Sequence, residues 1–143
     1  MRTVVLDTGP IVGLLHHGDA HHHSAIQAIT RSAEEGRALV TVWEVVGEAF
    51  TLIRLRISGG RHSDQAMTVL RWAEESGVMI ETSKGSDQRR AIEILRAHAD
   101  LRLSYVDALL LAICERLGAE EVLTVDGHIG AVRLASNLIV TRV

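Results

Sequence analysis

Five short β-branched runs alternate with longer stretches of helical spacing, and no other feature of this chain restricts its fold as much. The runs read as strands near 2–7, near 38–42, in GVMIET, in EVLTV and in NLIVTR. Between them the apolar spacing predicts helices near 10–16, 22–35, 43–57, 62–76, 86–98 and 104–118, with a short one near 128–134. Strands reached through helical crossovers pair in parallel, since a tight turn can only reverse the chain. The expected architecture is therefore α/β, with a mostly parallel five-stranded sheet buried beneath helices. Aromatic residues make up only 3% of the chain and apolar residues 47%, so Ala, Val, Leu and Ile must fill the core, as suits strands covered on both faces. The 143 residues hold no Pro-, Gly- or Ser-rich linker, and a single domain over 1–143 is expected.

A sheet of this kind binds ligands outside the carboxyl ends of its strands, where the strand order reverses. Four acids fall at such junctions. Asp7 ends VVLD, Asp126 ends EVLTVD, Glu48 lies in WEVVGE behind the second strand, and Asp107 opens the helix of LSYVDALLLA. Each follows or interrupts an apolar run, which is a poor place for core packing and a good one at a sheet's edge. Local uses compete for some of them. Ser104 to Asp107 has the spacing of a capping box, so Asp107 reads equally as a helix cap and as a ligand. Thr41 to Glu44 has the same spacing; Glu44 is thereby assigned to capping, and Glu48, one turn on along the same face, is left without a local task. The carboxylate of Asp126 also reads as a cap for the short helix behind it.

Carboxylates brought within a few ångströms repel one another, and their pKa values rise unless a cation compensates. Oxygen-only ligands favour Mg²⁺ or Mn²⁺, and Mg²⁺ keeps several waters while a few carboxylates and substrate phosphates complete its octahedron. A water held there becomes more acidic, and the metal neutralises charge on the phosphoryl and leaving oxygens. That chemistry suits phosphodiester hydrolysis. It also reconciles a net charge of −3 with an anionic substrate, because the acids repel phosphate only until metal arrives.

With these blocks in this order the chain resembles the PIN-domain ribonucleases, and in particular the VapC-type toxins of bacterial and archaeal toxin–antitoxin pairs. VVLDTGPIVGLL is similar to the family's opening strand with its first acid, Asp7, and TVWEVVGEAFTLIRLR to the second block, whose acid falls on Glu48. LSYVDALLLAICERLG and VLTVDGHI are similar to the third and fourth blocks, with Asp107 and Asp126. The resemblance spans essentially the full chain. It implies a three-layer α/β/α sandwich, cleavage of RNA with Mg²⁺ or Mn²⁺ held by the four acids, a homodimer, and inhibition by a cognate antitoxin protein. It further implies that Thr8 and Ser104 orient ligands or waters through their hydroxyls. Thr124 reads first as a turn residue.

Other readings find less support. An aspartyl phosphatase carries a second Asp two positions after its nucleophile, where this chain has Gly9. A non-enzymatic, receiver-like Mg²⁺ module uses a Lys at the end of a late strand, whereas the single Lys here, Lys84, precedes a helix in mid-chain. Gly9 and Gly13 form no dinucleotide fingerprint, and there is no phosphate-binding glycine-lysine loop. His16, His17, His21, His22 and His23 crowd at a turn between helices, where solvated imidazole is cheap, and read as surface rather than as zinc ligands; His128 reads as a surface residue at a helix start. Arg54 and Arg56, before the break at Ser58-Gly59-Gly60, read equally as RNA contacts and as cations favoured at a helix C-terminus. Cys114 sits inside ALLLAIC as a core residue, and one cysteine permits no internal disulfide, which favours a cytoplasmic setting. No apolar run approaches the ~20 residues that span a bilayer, and Asp7 with Gly9-Pro10 interrupts the opening, so neither a membrane span nor a targeting segment is expected.

Overall fold

The computed structural model describes residues 2–56 and 63–143. The chain begins with β1 (Thr3–Leu6), α1 (Thr8–Leu15), α2 (His22–Glu34) and β2 (Ala38–Val42). It continues with α3 (Trp43–Arg56), α4 (Ser63–Glu75), β3 (Met79–Glu81) and α5 (Gly85–Ala97). Last come α6 (Tyr105–Leu117), β4 (Glu121–Thr124), a 3₁₀ turn (Ile129–Ala131) and β5 (Ile139–Arg142). The break at Ser58-Gly59-Gly60 lies outside the described residues.

All five strands run parallel in the order β3-β2-β1-β4-β5. β1 is central, with Val4 opposite Leu39 of β2 on one side and Glu121 of β4 on the other. The chain steps outward from β1 to β2 to β3 and then returns to lay β4 on the far side of β1. The order therefore reverses between β1 and β4. Right-handed crossovers place α1 to α4 on one face of the sheet and α5 with α6 on the other. The main packing agrees: α1 lies on α2 and α3, α3 on α4, and α5 on α6, while a smaller contact joins α3 to α6.

Local chemistry explains these elements. Val4, Val5 and Leu6 are fully buried, as a continuous apolar run requires of a strand covered on both faces. In α6 every residue from Ala108 to Cys114 is buried, so the middle of this helix is apolar all round, and it packs against α5. Ser104 caps its start, and Gly118, at φ 61°, ends it in the left-handed conformation that glycine adopts without strain. Truncating Leu110 to Ala in this core would cost ~2–5 kcal/mol.

Two boundaries differ from expectation. α1 starts at Thr8 because Asp7 caps it, which puts Pro10 in the first turn, where a missing N–H costs nothing. The helix expected near 128–134 shrinks to the 3₁₀ turn, because Gly127 and Gly130 weaken helical propensity there.

Candidate metal centre at the switch point of the sheet

Asp7 stands directly behind β1, at the reversal of strand order. Its backbone N–H donates to the carbonyl of Leu123 at 3.0 Å, extending the β1–β4 ladder by one residue. Its Oδ1 accepts the N–H of Thr8 at 2.8 Å, and its Oδ2 accepts the hydroxyl of Thr124 at 2.7 Å. Only 5% of Asp7 is exposed, and Thr124 is fully buried. Neither partner brings a positive charge. Burial pushes the carboxyl from 3.8 up to about 6; the bonds from Thr124 and Thr8 pull it down, and the charges of Asp107 and Glu48 push it up again.

Thr124 does more than make a turn. Its Oγ1 also accepts the N–H of Asp126 at 3.0 Å, so one buried hydroxyl ties the Asp7 carboxylate to the segment that carries Asp126. This pairing joins residues 117 positions apart and exists only once β1 and β4 lie side by side, which is why no local signal in the sequence reveals it. Thr8 Oγ1, next to Asp7, is buried and has no hydrogen-bond partner within the protein.

The other three acids reach this point differently. Glu48 and Asp107 are half-buried, and both charges act on the Asp7 carboxyl. Asp107 also closes its own capping box: the Ser104 N–H donates to Asp107 Oδ2 at 2.9 Å, and the Asp107 N–H donates to Ser104 Oγ at 3.0 Å. Capping thus engages one carboxylate oxygen while the charge still acts on Asp7. Asp126 Oδ1 accepts the N–H of His128 at 2.8 Å, the capping use expected of it, and the link from Asp126 to Asp7 runs through Thr124.

The assignment of Glu44 to helix capping is corrected. Thr41 lies inside β2 and spends its hydroxyl on the carbonyl of Leu6 at 2.8 Å, while α3 follows β2 with no loop between them. Glu44 instead accepts the hydroxyl of Ser83 at 2.6 Å. What distinguishes Glu48 is its electrostatic coupling to Asp7, not the elimination of Glu44.

Residues outside the four acids find local partners. His22 Nδ1 bonds the carbonyl of Gly13 at 2.7 Å and ties α2 to α1, with the ring of His17 stacked on it at 5.5 Å. Arg56 pairs with Asp19 at 2.8 Å. Cys114 is fully buried, and burial pushes its thiol well above the ordinary range, so it is a core residue.

Among the described residues, no three His, Cys, Asp or Glu side chains already form a compact metal-holding group. The donor set around Asp7 still fits a hydrated hard cation. It offers only oxygen, it centres on a desolvated carboxylate that two further acids make more basic, and it includes the orphaned hydroxyl of Thr8. Mg²⁺ retains several waters, so carboxylates spaced too widely for direct ligation can reach it through them.

A PIN-domain family profile matches residues 4–134. No curated protein matches the chain in sequence. Among solved structures, the chain is similar to VapC20 of Mycobacterium tuberculosis, a toxin that cleaves the sarcin–ricin loop. The identity is 26% and the TM-score 0.74, covering 90% of this chain and 93% of that one. Two toxin–antitoxin structures share the fold at lower identity. VapBC2 of Rickettsia felis, bound to a fragment of promoter DNA, is 15% identical with a TM-score of 0.72 and 98% of both chains covered. VapBC-5 of Mycobacterium tuberculosis is 16% identical with a TM-score of 0.63 and full coverage of both.

Proposed function

The chain belongs to the PIN-domain family, and on that premise we propose that it is an endoribonuclease dependent on Mg²⁺ or Mn²⁺ that serves as the toxin of a toxin–antitoxin pair. The observation that carries this reading is Asp7, a buried carboxylate at the switch point whose hydrogen-bond partners are uncharged and whose charged neighbours named above are acids. Such a group calls for a cation from outside the chain.

In this reading Asp7, Glu48, Asp107 and Asp126 hold the ion, Asp126 through water, and the hydroxyls of Thr8 and Ser104 orient the waters around it. The bound ion supplies an acidified water and neutralises charge on the phosphoryl oxygens. The protein's own work is to hold Asp7 in one rotamer between Thr8 and Thr124, whose hydrogen bonds favour the ionised carboxylate against the burial that disfavours it. The structural similarity to VapC20 supports RNA as substrate, and the neighbours solved as toxin–antitoxin complexes support a cognate antitoxin as partner. A homodimer and a cytoplasmic setting complete the proposal; among the described residues no helix is long and apolar enough to cross a membrane.

Purified protein is expected to cut single-stranded RNA when Mg²⁺ or Mn²⁺ is present, to stop in EDTA, and to resume when metal is restored in excess. Intact RNA under those conditions, or an Asp7→Asn variant as active as the wild type, would sink the assignment. Expression of the chain alone is expected to arrest growth, and co-expression of a short reading frame lying immediately upstream is expected to relieve it. The receiver-like alternative gains nothing from Lys84, which stands at the N-cap of α5 rather than at the end of a late strand. Phosphorylation by a small phosphodonor without RNA cleavage would revive it.

A further inference from the structure

A cleft of about 120 Å³ lies between α1, α3, the α1–α2 loop and the segment after β4, lined by residues that neighbour the switch-point acids in sequence or along α3. Glu48, Leu52 and Arg56 follow one another at four-residue spacing on α3 and so lie along one stripe of it. At 1.5 Å of rise per residue, Arg56 lies ~12 Å along the axis from Glu48. Leu52 and Arg56 line the cleft, and Gly9 and Val125 form the facing wall. Each wall therefore starts beside a candidate acid: Gly9 two residues after Asp7, Val125 one before Asp126, and Leu52 one turn beyond Glu48. A Cβ at position 9 would come within 2.2 Å of the Val125 side chain, so a larger residue there must displace Val125.

Val12, Leu52 and Val125 give the cleft its apolar surface, and Asp19, His21 and Arg56 add polar groups to its lining. Arg56 Nη1 donates to Asp19 Oδ2 at 2.8 Å, and Asp19 Oδ1 accepts the N–H of His21 at 2.9 Å. The Asp19 side chain is 9% exposed and that of Arg56 is 52% exposed. The guanidinium is thus gripped by one edge from an almost buried carboxylate and turns the rest of its plane to solvent. A planar cation held this way stacks on bases and bonds phosphate.

We infer that this cleft takes one unpaired base of the RNA, next to the bond that the acids cut, and that Leu52 and Arg56 determine which positions are cut. The inference rests on the ribonuclease reading. A cleft of this volume is far below the ~300–1,000 Å³ that encloses a drug-sized ligand and suits a single ring system. Aliphatic walls accept the face of a splayed base, and single-stranded RNA offers such bases. Its offset along α3 puts the occupant at the neighbouring nucleotide rather than at the scissile phosphate. The two arginines that looked alike in the sequence now separate, because Arg56 lines the cleft and Arg54 does not.

Single-stranded RNAs in which one abasic ribose is moved stepwise across a cleavage site test this with Mg²⁺ or Mn²⁺ present. Wild-type protein is expected to lose about tenfold in kcat/KM when the abasic unit occupies one position beside the cut, the size of one lost stack. Leu52→Trp, whose indole fills the cleft, should be insensitive at that position. Arg56→Gln, a change at a half-exposed side chain, should raise KM by more than it lowers kcat and flatten the same position. Identical abasic profiles for all three proteins overturn the cleft assignment alone. Failure of the wild type to cut any RNA overturns the ribonuclease reading and the cleft with it. Unchanged profiles joined to lost binding of a partner protein would make the cleft a peptide seat and overturn the base.

Discussion

Asp7 and Asp87 are both buried aspartates, 5% and 2% exposed, and each accepts a backbone N–H at the start of a helix, yet their carboxyls move in opposite directions. Burial pushes Asp87 up as it does Asp7, but Arg116 Nε donates to it at 2.8 Å, the Lys84 N–H adds a second bond, and the two cations attract it. The balance holds Asp87 below the ordinary carboxylate range. Arg116 also reaches Glu81 at 3.3 Å, so one guanidinium joins the end of β3 to α5 and α6. Asp7 has hydroxyl and amide partners instead and ends near 6. Burial alone does not separate the two carboxylates; the missing counter-charge does, and it makes Asp7 the candidate for function.

The strongest way to break that contrast is to neutralise each group in turn. On the proposed reading, in which Asp7 is a ligand of the ion, Asp7→Asn should reduce metal-dependent RNA cleavage by about two to three orders of magnitude. The same change should stabilise the metal-free protein at pH 7. Moving from 3.8 to about 6 at ~1.36 kcal/mol per pH unit gives an upper figure of about 3 kcal/mol. The folded protein holds this proton more tightly than the unfolded chain, so the contribution of Asp7 to stability grows as pH falls through 6 and is complete below 3.8. The gap between variant and wild type in urea melts with EDTA should therefore be widest at pH 7 and close near pH 4. An Asn variant less stable than wild type at pH 7 would show that Asp7 is already compensated.

Asp87→Asn should do the reverse. It should leave the activity of the folded protein unchanged and cost about 2–3 kcal/mol, under the figure for a fully buried pair because Arg116 keeps some solvent. Here stability is present above 3.8 and is lost as pH falls through the depressed pKa, so acid weakens this region while it relieves the other. A urea midpoint equal to that of wild type would remove Asp87 as the balanced half of the comparison. Asp126→Asn stands between the two. Its carboxylate already serves the His128 N–H and its tie to Asp7 runs through Thr124, so cleavage should fall about tenfold, less than for Asp7→Asn. A loss as deep as that of Asp7→Asn would mean that Asp126 binds the ion directly.

The sequence makes the backbone of this fold legible because strands and helices announce themselves locally. Five β-branched runs and their crossovers imply the parallel sheet, and Ser104 with Asp107 announces its capping box. The acids are legible as positions, since Asp7 and Asp126 must follow strands whatever their partners are. Their environments are not. Thr41 matches the capping pattern with Glu44, yet its hydroxyl belongs to Leu6, 35 residues away, because β2 and β1 are neighbours. Nor does the sequence distinguish Asp87 from an ordinary first-turn acid, since Arg116 lies 29 residues on and meets it only when α5 packs on α6. Long-range hydrogen bonds set the charge balance, and local spacing carries no trace of them.

The finest test of the contrast is Thr124→Val, which keeps the shape of a fully buried side chain and removes only its hydroxyl. Asp7 Oδ2 loses a donor and the Asp126 N–H loses an acceptor, at a cost of ~1–2 kcal/mol in stability. Because the Thr124 bond lowers the Asp7 pKa, its removal must raise that pKa further. Cleavage by the variant should then fall severalfold at pH 6 and recover most of the difference by pH 8, while the Asp87 region is unaffected. A pH profile identical to that of wild type would reduce Thr124 to a spacer. A shifted profile would show why the site uses a neutral hydroxyl rather than a cation: Thr124 eases the charge on Asp7 and leaves the rest to be balanced by an ion, whereas an arginine there would balance the charge and close the site as Arg116 closes the one around Asp87.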